Sequence, residues 1–250
     1  MINFKNAKLY NYPYDHIVID DCFEQDIFNN LIKEWPGKLI EEKANTVMGG
    51  RRQIANSASQ KDTWKWLEST TTWNEFHNYI DSDEMLAYFK DKFKSSMEHW
   101  GCTLTDELIS NEKMFTHIDW SEAGDGYVRE VHADSQKRFM NFLIFFNDKN
   151  WSGGDFIVHS SDEVETYHQP RGGAPKLYNE EPVKIHSIIP AKANRAVFFL
   201  SSPNSLHSVT KQYETKEFRK FIYGAYSSRN KSTPVFSNYE NRKQKTNRRL

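Results

Sequence analysis

The sequence predicts a mainly β domain, a sandwich or barrel, with a layer of helices packed against one face. Two observations predict it: amphipathic helical spacing in the first hundred residues, and eight short β-like runs after Gly101. Turn residues divide these runs at the spacing that is typical of sandwiches and barrels. The runs span residues 113 to 120, 127 to 132, 138 to 146, 155 to 159, 183 to 188, 196 to 200, 206 to 209 and 218 to 227.

The chain has 250 residues, of which 38% are hydrophobic and 14% aromatic, so it can bury one substantial core. We expect a single domain over residues 1 to 228, with a helical layer over 1 to 110 and the β core over 111 to 228. Residues 229 to 250 carry many cations and few apolar side chains, so we expect a basic, partly disordered tail there.

Composition argues against several classes of protein. The formal net charge of -1 argues against a globally basic nucleic-acid binder. Residues 1 to 16 lack a basic segment followed by an apolar core, and no stretch reaches membrane-spanning length, so we expect neither a signal peptide nor a membrane span. Cys22 and Cys102 form neither a disulfide framework nor a zinc pattern, which favours a cytoplasmic protein. The sequence predicts no particular oligomeric state.

The first predicted elements are a strand and a helix. Residues 12 to 23 have the composition of a β-strand with a charged end. Over residues 24 to 35, apolar side chains recur at the i, i+3, i+4 and i+7 positions of one helical face, and Pro36 and Gly37 end the helix. The apolar residues of this face are Phe28, Leu31, Ile32 and Trp35.

A polar segment and a second helical region follow. We expect a loop over residues 41 to 62, with a short strand as an alternative for part of it, and Arg51 and Arg52 there suit a solvated turn better than a contact with an anionic substrate. Helical spacing returns over 64 to 100, with a polar break at 81 to 84. Its apolar faces, which we expect to pack against the sheet, contain Trp73, Phe76, Tyr79, Ile80, Phe89, Phe93, Met97 and Trp100.

A polar insert at residues 160 to 181 interrupts the β-like runs. It contains Tyr167, His168 and Arg171 but no apolar periodicity. A loop of this length inside a compact domain is typical of a lid or a binding segment.

Two His-x-Asp pairs are candidate metal ligands. Alternate residues of a strand point to the same face, so either pair could present both groups to one ion. His132 closes a β-like run and Asp134 opens a polar turn, which would place this pair at a strand mouth that a substrate can enter. His117 and Asp119 lie within a run that a short turn and another strand follow, which suits a surface or supporting role. We therefore favour His132 and Asp134.

A third ligand and a cation complete the predicted site. His207 is favoured over the other histidines because it begins a new run after a Pro-Asn turn. Two histidines and one carboxylate leave three positions of an octahedral iron open, which is the ligand set of non-heme Fe(II) oxygenases. Such a metal can chelate 2-oxoglutarate, and the forked guanidinium of Arg219, twelve residues later, suits the distal carboxylate. The competing third ligands are His159, His168 and His186.

These residues resemble the Fe(II)/2-oxoglutarate-dependent dioxygenases, and within them the prolyl 4-hydroxylase-like branch. The resemblance covers about residues 110 to 228 and depends on GDGYVR before His132, the WSGGDF segment at 151 to 156, and NRAVFF before His207. It implies a double-stranded β-helix, or jelly roll, backed by N-terminal helices. It also implies His132, Asp134 and His207 as iron ligands, Arg219 on the 5-carboxylate of 2-oxoglutarate, dioxygen as second cosubstrate, and ascorbate as a candidate addition.

The sequence departs from this family at two positions. Where members often have a tyrosine that helps to hold the cosubstrate, this chain has Phe145, and where some have a serine two residues after the arginine, it has Phe221. Asn141 and Leu143 share a strand face with Phe145, so we expect both to line the cosubstrate pocket, with Asn141 as a polar contact.

Three functions fit the sequence. The resemblance favours hydroxylation of an unactivated C–H bond in a peptide or protein residue, as in prolyl hydroxylases. The same chemistry on a free amino acid, sugar or nucleotide fits the polar insert, Arg51 and Arg52 at least as well as a peptide substrate does. The third is a jelly-roll binding module whose histidines are structural or hold a non-redox metal. Fold analogy does not choose between the first two, because function depends on the site.

Overall fold

The structure is a computed structural model, and it describes most of the chain. The described residues are 1–47, 50–103, 114–135, 137–147, 152–161, 166–167, 176–177, 183–213, 217–228 and 235–236. Nearly all of the predicted insert, the predicted basic tail and Trp151 of the WSGGDF segment lie outside these residues.

The helices belong to the first hundred residues, as the apolar spacing predicts. The polar break at 81 to 84 separates two of them, because Ser82 accepts a hydrogen bond from the backbone N–H of Met85 and so caps the second helix. The bounds are α1 (Gln25–Lys33), α2 (Gly37–Lys43), α3 (Lys61–Ser69), α4 (Thr71–Ile80), α5 (Asp83–Lys92) and α6 (Lys94–His99).

The strands follow the predicted runs closely after residue 113. The first four, which precede or interleave with the helices, are β1 (Lys8–Tyr10), β2 (His16–Ile19), β3 (Asn45–Val47) and β4 (Arg51–Ala55). The rest are β5 (Met114–Ala123), β6 (Arg129–His132), β7 (Arg138–Phe145), β8 (Phe156–Ser160), β9 (Thr166–Tyr167), β10 (Lys176–Leu177), β11 (Lys184–Ile189), β12 (Ala196–Leu200), β13 (His207–Val209) and β14 (Arg219–Ser228).

Two antiparallel sheets face each other. The major sheet has the order β1-β2-β12-β7-β14-β5-β4-β3, and the minor sheet has the order β11-β8-β13-β6-β10-β9. From β5 onward the chain crosses between the two sheets several times, as in a jelly roll: β5, β7, β12 and β14 belong to the major sheet, and β6, β8 to β11 and β13 belong to the minor sheet. The predicted fold class, a mainly β jelly roll backed by N-terminal helices, is therefore confirmed.

Each face of the major sheet packs against a separate core. Its outer face, with Ile118, Trp120 and Phe142, packs against the buried faces of the helices, including Trp73 and Phe89. Its inner face packs against the minor sheet through a second cluster. The alternation of side chains along each strand explains why one strand contributes to both cores. The second cluster includes Leu143, Phe145, Phe156, Val158, Val197, Phe199 and Phe221.

Two expectations about the first half were wrong in part. The predicted strand over 12 to 23 is shorter, since β2 begins at His16 and ends at Ile19. The predicted loop over 41 to 62 contains β3 and β4, and β4 pairs with β5 so that Arg51 lies opposite Ala123. The sequence of β4 does not clearly indicate a strand because its side chains are polar, and they are polar because they form ion pairs on the sheet. No described helix is both long and apolar enough to cross a membrane.

Candidate metal centre

Three side chains from the minor sheet converge at one end of the space between the sheets. His132 ends β6 and His207 begins β13, and the two residues pair directly across the antiparallel ladder. Their ring centroids are 4.3 Å apart. Asp134 lies two residues beyond β6 and is 4% exposed. One ligand atom from each of the three residues lies within 4.8 Å of the other two.

Backbone carbonyls orient both imidazole rings. Nδ1 of His132 lies 2.8 Å from the carbonyl oxygen of Glu130, and Nδ1 of His207 lies 2.9 Å from that of Ser205. A carbonyl only accepts, so each Nδ1 carries the hydrogen and each Nε2 keeps a free lone pair. These Nε2 atoms lie 4.0 Å and 3.4 Å from the carboxylate oxygens of Asp134. The donor set of two imidazole nitrogens and one carboxylate fits Fe(II).

Electrostatics keep these groups in the protonation states that bind a metal. Burial, with His207 beside it, lowers the pKa of His132 to about 3. Burial also lowers the pKa of His207. Burial alone would raise the pKa of Asp134, but Arg138 and the two imidazoles outweigh it and bring that pKa to about 2. At neutral pH the site therefore holds two neutral imidazoles and one carboxylate, and metal binding displaces no proton from them.

Asp134 is held by two further side chains. Nη1 of Arg138 donates to Oδ1 at 2.9 Å, and the Tyr223 hydroxyl donates to Oδ2 at 2.9 Å. Oδ1 of Asn141 lies close to the same two groups, 3.2 Å from Nη1 of Arg138 and 3.1 Å from the hydroxyl oxygen of Tyr223. Arg138 and Tyr223 are in direct contact as well. Each carboxylate oxygen thus has a donor, which fixes the orientation of the carboxylate.

A cavity of about 240 Å³ opens onto this cluster between the two sheets. Both sheets contribute to its walls, and the charged side chains among the lining residues are four arginines and two aspartates. The lining residues are Arg51, Gln53, Asp119, Tyr127, Arg129, His132, Asp134, Arg138, Leu143, Phe145, Gly154, Phe156, His207, Val209, Arg219, Phe221 and Tyr223.

Arg219 is a buried cation in the wall of this cavity. Its side chain is 1% exposed, and burial lowers its pKa to about 10. Nη1 donates to the carbonyl oxygen of Gly154, whereas Nε has no hydrogen-bond partner among the described residues. No described carboxylate forms an ion pair with it. A buried guanidinium with an unpartnered N–H fits an anionic ligand such as the distal carboxylate of 2-oxoglutarate.

Gly154 permits this placement of Arg219. Its φ of +75° is in the left-handed region, which glycine adopts without steric cost. A Cβ at this position would also overlap the guanidinium of Arg219. The second glycine of the WSGGDF segment therefore has a steric reason in this structure, namely the close approach of backbone and guanidinium.

Arg219 and His207 reach the cavity from opposite walls. Arg219 begins β14 in the major sheet, and His207 begins β13 in the minor sheet. Their strands are not paired with each other among the described pairings, since β13 pairs with β6 and β8. They line the same cavity because the two sheets face each other.

Aromatic rings surround the guanidinium of Arg219. Its Cζ lies 4.8 Å from the ring centroid of Phe221 and 5.7 Å from those of Phe145 and Tyr127. Phe145 and Phe221, the two positions where the sequence departs from the family pattern, thus place aromatic rings beside this guanidinium. Tyr127 belongs to the GDGYVR segment and lines the same cavity.

Leu143 and Asn141 have different surroundings. Leu143 lines the cavity as expected from the strand alternation. Asn141 is fully buried and does not contribute to the cavity lining; its Oδ1 lies close to Arg138 and Tyr223, and its Nδ2 has no partner among the described residues. Asn141 therefore contacts the groups that hold Asp134.

The second His-x-Asp pair has a different task. Nε2 of His117 lies 2.9 Å from Oδ1 of Asp119, and Nη2 of Arg51 lies 3.3 Å from Oδ2. Nε of Arg51 also donates to Ser121 Oγ at 3.1 Å. Arg51 and Arg52 do not form a solvated turn: Arg51 lines the cavity, and Arg52 pairs with Glu122 at 2.8 Å outside it.

The other candidate histidines that the structure describes are not part of the cluster. Nε2 of His159 lies 2.7 Å from Ser208 Oγ, and burial lowers its pKa to about 4. His186 packs edge-on against Tyr12. His168 lies outside the described residues.

Sequence reasoning assigned no role to five polar residues of the cavity: Tyr223, Arg138, Arg129, Tyr127 and Gln53. Tyr223 is four residues after Arg219 on the same strand, and strand alternation puts both side chains on one face. That period could have identified it. Arg129 is three residues before His132 and Arg138 four after Asp134, positions for which strand alternation gives no signal.

The fold and the donor set define a class, the mononuclear non-heme iron oxygenases of jelly-roll fold. Residues 110–226 match the sequence model of the 2OG-Fe(II) oxygenase superfamily. This part of the chain is similar to that superfamily, and the protein is an oxidoreductase of the type that uses Fe(II) and 2-oxoglutarate. A comparison with curated protein sequences found no match.

Solved structures share the fold at low sequence identity. A prolyl-4-hydroxylase from Pseudomonas putida has a TM-score of 0.51 and 12% identity, over 86% of this chain and 92% of that protein. The non-heme alpha ketoglutarate dependent epimerase SnoN from nogalamycin biosynthesis has a TM-score of 0.52 and 11% identity, over 85% and 78%. These likenesses support the architecture and leave the substrate open.

Proposed function

We propose that the protein is an Fe(II)- and 2-oxoglutarate-dependent hydroxylase of an unactivated C–H bond, with His132, Asp134 and His207 as the iron ligands. Arg219 holds the distal carboxylate of 2-oxoglutarate. The observation that carries the proposal is the convergence of three donor atoms within 4.8 Å, in one cavity with a buried guanidinium that has no acid partner among the described residues.

The side chains prepare the site before any reaction. The carbonyls of Glu130 and Ser205 hold the imidazoles with Nε2 free, and Arg138 with Tyr223 holds the carboxylate. Bound iron and 2-oxoglutarate supply the oxidising power, drawn from dioxygen, that breaks a C–H bond. Apolar walls exclude water from the reacting groups. Those walls are formed by Leu143, Phe145, Phe156, Val209 and Phe221.

Two substrate classes remain candidates. The sequence resemblance favours a prolyl residue in a peptide, and the Pseudomonas putida prolyl-4-hydroxylase shares the fold. The charge of the cavity favours a free small molecule that is acidic, because the lining contains four arginines and two aspartates. A neutral peptide segment would leave that excess of positive charge uncompensated.

Succinate formation tests the proposed chemistry. The purified protein should convert 2-oxoglutarate to succinate only when Fe(II) and dioxygen are present, and His132→Ala should abolish the conversion. The matched control is His99→Ala, which removes a histidine from α6, away from the cavity. Retention of succinate formation in His132→Ala, or its absence from the wild-type protein under all conditions, would contradict the proposal.

A further inference from the structure

Arg129 differs from the other arginines of the cavity. Arg51 pairs with Asp119 at 3.3 Å, and Arg138 pairs with Asp134 at 2.9 Å. Arg219 is reserved for 2-oxoglutarate under the proposed function. Arg129 lines the cavity, yet it forms no ion pair with any described carboxylate.

The contact that Arg129 does make is lost when a metal binds. Its Nε donates to Nε2 of His132 at 3.5 Å, the nitrogen whose lone pair faces the proposed metal position. One lone pair serves either a hydrogen bond or a metal, so a bound metal leaves the guanidinium of Arg129 without this acceptor. A half-buried guanidinium beside the metal then needs an anion.

The charge balance of the cavity also indicates that an anion binds there. The lining carries four arginines and two aspartates, a net charge of 4 − 2 = +2 with neutral histidines. Fe(II) and the dianion 2-oxoglutarate cancel each other, so the excess of two positive charges remains after both are bound. Charges in a water-poor cavity attract a counterion far more strongly than they would in bulk water.

We propose that Arg129 binds an anionic group of the substrate, a carboxylate or a phosphate, and that the substrate is a small acidic molecule. This inference rests on the proposed function, because it allots Arg219 to 2-oxoglutarate. The forked guanidinium takes either oxyanion through two parallel hydrogen bonds. Because Arg129 is only three residues before His132 on the same strand, the anion anchors the substrate beside the metal.

Binding of small paired probes tests this directly. The protein is loaded with Zn(II), which supports no turnover, and saturated with 2-oxoglutarate so that Arg219 is occupied. Ligand-observed NMR then measures the affinity of isobutyrate against isobutyramide, and of glycerol 3-phosphate against glycerol. The two pairs separate a carboxylate preference from a phosphate preference.

At least one anionic probe should bind more than about tenfold more tightly than its neutral partner. Arg129→Gln should remove that difference, and Arg129→Lys should restore part of it. The control variant Lys211→Gln makes the same charge change at an exposed lysine outside the lining and should leave the difference intact.

Three results would overturn the assignment: equal affinity of charged and neutral probes, no binding of either, or preference for the anion that persists in Arg129→Gln. The proposed function has a separate readout, since succinate formation needs no probe. If succinate formation fails while the Arg129-dependent preference persists, the oxidation chemistry is wrong and the anion site stands.

Discussion

The hydroxyl of Tyr223 donates a hydrogen bond of 2.9 Å to Oδ2 of Asp134, joining β14 of the major sheet to the turn after β6 of the minor sheet. Arg138 donates to the other oxygen at the same distance. Burial raises the pKa of Tyr223 well above its usual value, so the phenol remains a donor at any pH the protein tolerates. The carboxylate is therefore oriented before a metal arrives.

Removing that hydroxyl should weaken metal binding without unfolding the protein. We expect Tyr223→Phe to lower the affinity for Zn(II) or Co(II) by about 10-fold to 100-fold, the usual cost of losing a group that orients a metal ligand. A metal titration with a competing chelator measures it. Tyr226→Phe is the matched control, because it removes a buried hydroxyl three residues along the same strand, where the partner is the backbone of Ile80. Equal losses in both variants would deny Tyr223 a role at the metal.

The guanidinium of Arg219 should matter for 2-oxoglutarate more than for the metal. In Arg219→Lys a compact ammonium replaces the fork, so we expect the KM for 2-oxoglutarate to rise by about 10-fold to 100-fold, the cost of one charge-assisted hydrogen bond. The affinity for Co(II) should change by less than about twofold. Equal weakening of metal and 2-oxoglutarate binding would count against its assignment to the distal carboxylate.

Metal affinity should resist acidification. Two imidazoles of ordinary pKa would lose roughly 70-fold in combined metal affinity between pH 7 and pH 5.5, because protons compete for both nitrogens. Burial lowers the pKa of His132 to about 3, so this imidazole stays neutral over the range, and burial also lowers the pKa of His207, which reduces proton competition there. We expect the Zn(II) affinity to fall by less than about tenfold between these pH values. A fall of roughly 70-fold in Zn(II) affinity would mean that both imidazoles have ordinary pKa values.

The same pKa shifts predict how apoprotein stability depends on pH. A histidine whose pKa is lower in the folded protein than in the unfolded chain stabilises the fold above its unfolded pKa. That stabilisation is lost as the pH falls from about 6.5 toward the folded value of about 3 for His132. Urea titrations should therefore give a smaller free energy of unfolding for the apoprotein at pH 5 than at pH 7. The difference between the two pH values should be smaller in His132→Asn.

The choice between the two His-x-Asp pairs can be tested by paired variants. His132→Ala should abolish Co(II) binding, whereas His117→Ala should leave it within about threefold of the wild type. His117 instead contacts the aspartate that holds Arg51, so its variant should affect the cavity wall and spare the metal. Loss of the metal in His117→Ala with retention in His132→Ala would reverse the assignment.

The sequence predicts the jelly roll well where its strands are largely buried, as in β5, β7, β8 and β12. The run 196 to 200 has the bounds of β12, whose residues are all buried, and the other runs after residue 113 differ from the strands by at most three residues at either end. The strand β4 lies in the segment 41 to 62, for which the polar sequence favours a loop. Its polarity comes from contacts with β5 that are distant in sequence, such as Arg51 with Asp119, 68 residues apart.

The site was predicted as far as its motifs extend. The His-x-Asp pair, His207 and Arg219 were found because their residue types and order carry the chemistry. Tyr223 received no role because nothing in its local sequence distinguishes it from an ordinary strand residue, and Arg129 received none although it ends the GDGYVR segment, because the motif does not indicate where its side chain lies. Only the facing of the two sheets brings them to the cavity, and that facing depends on pairings between distant strands.

The most direct test of the account is a crystal structure of the protein with Mn(II) and 2-oxoglutarate. The account predicts one metal ion bonded to Nε2 of His132, Nε2 of His207 and the carboxylate of Asp134, with the distal carboxylate of 2-oxoglutarate on the guanidinium of Arg219. A metal bound at His117 and Asp119, or a 2-oxoglutarate molecule that leaves Arg219 without a partner, would contradict it.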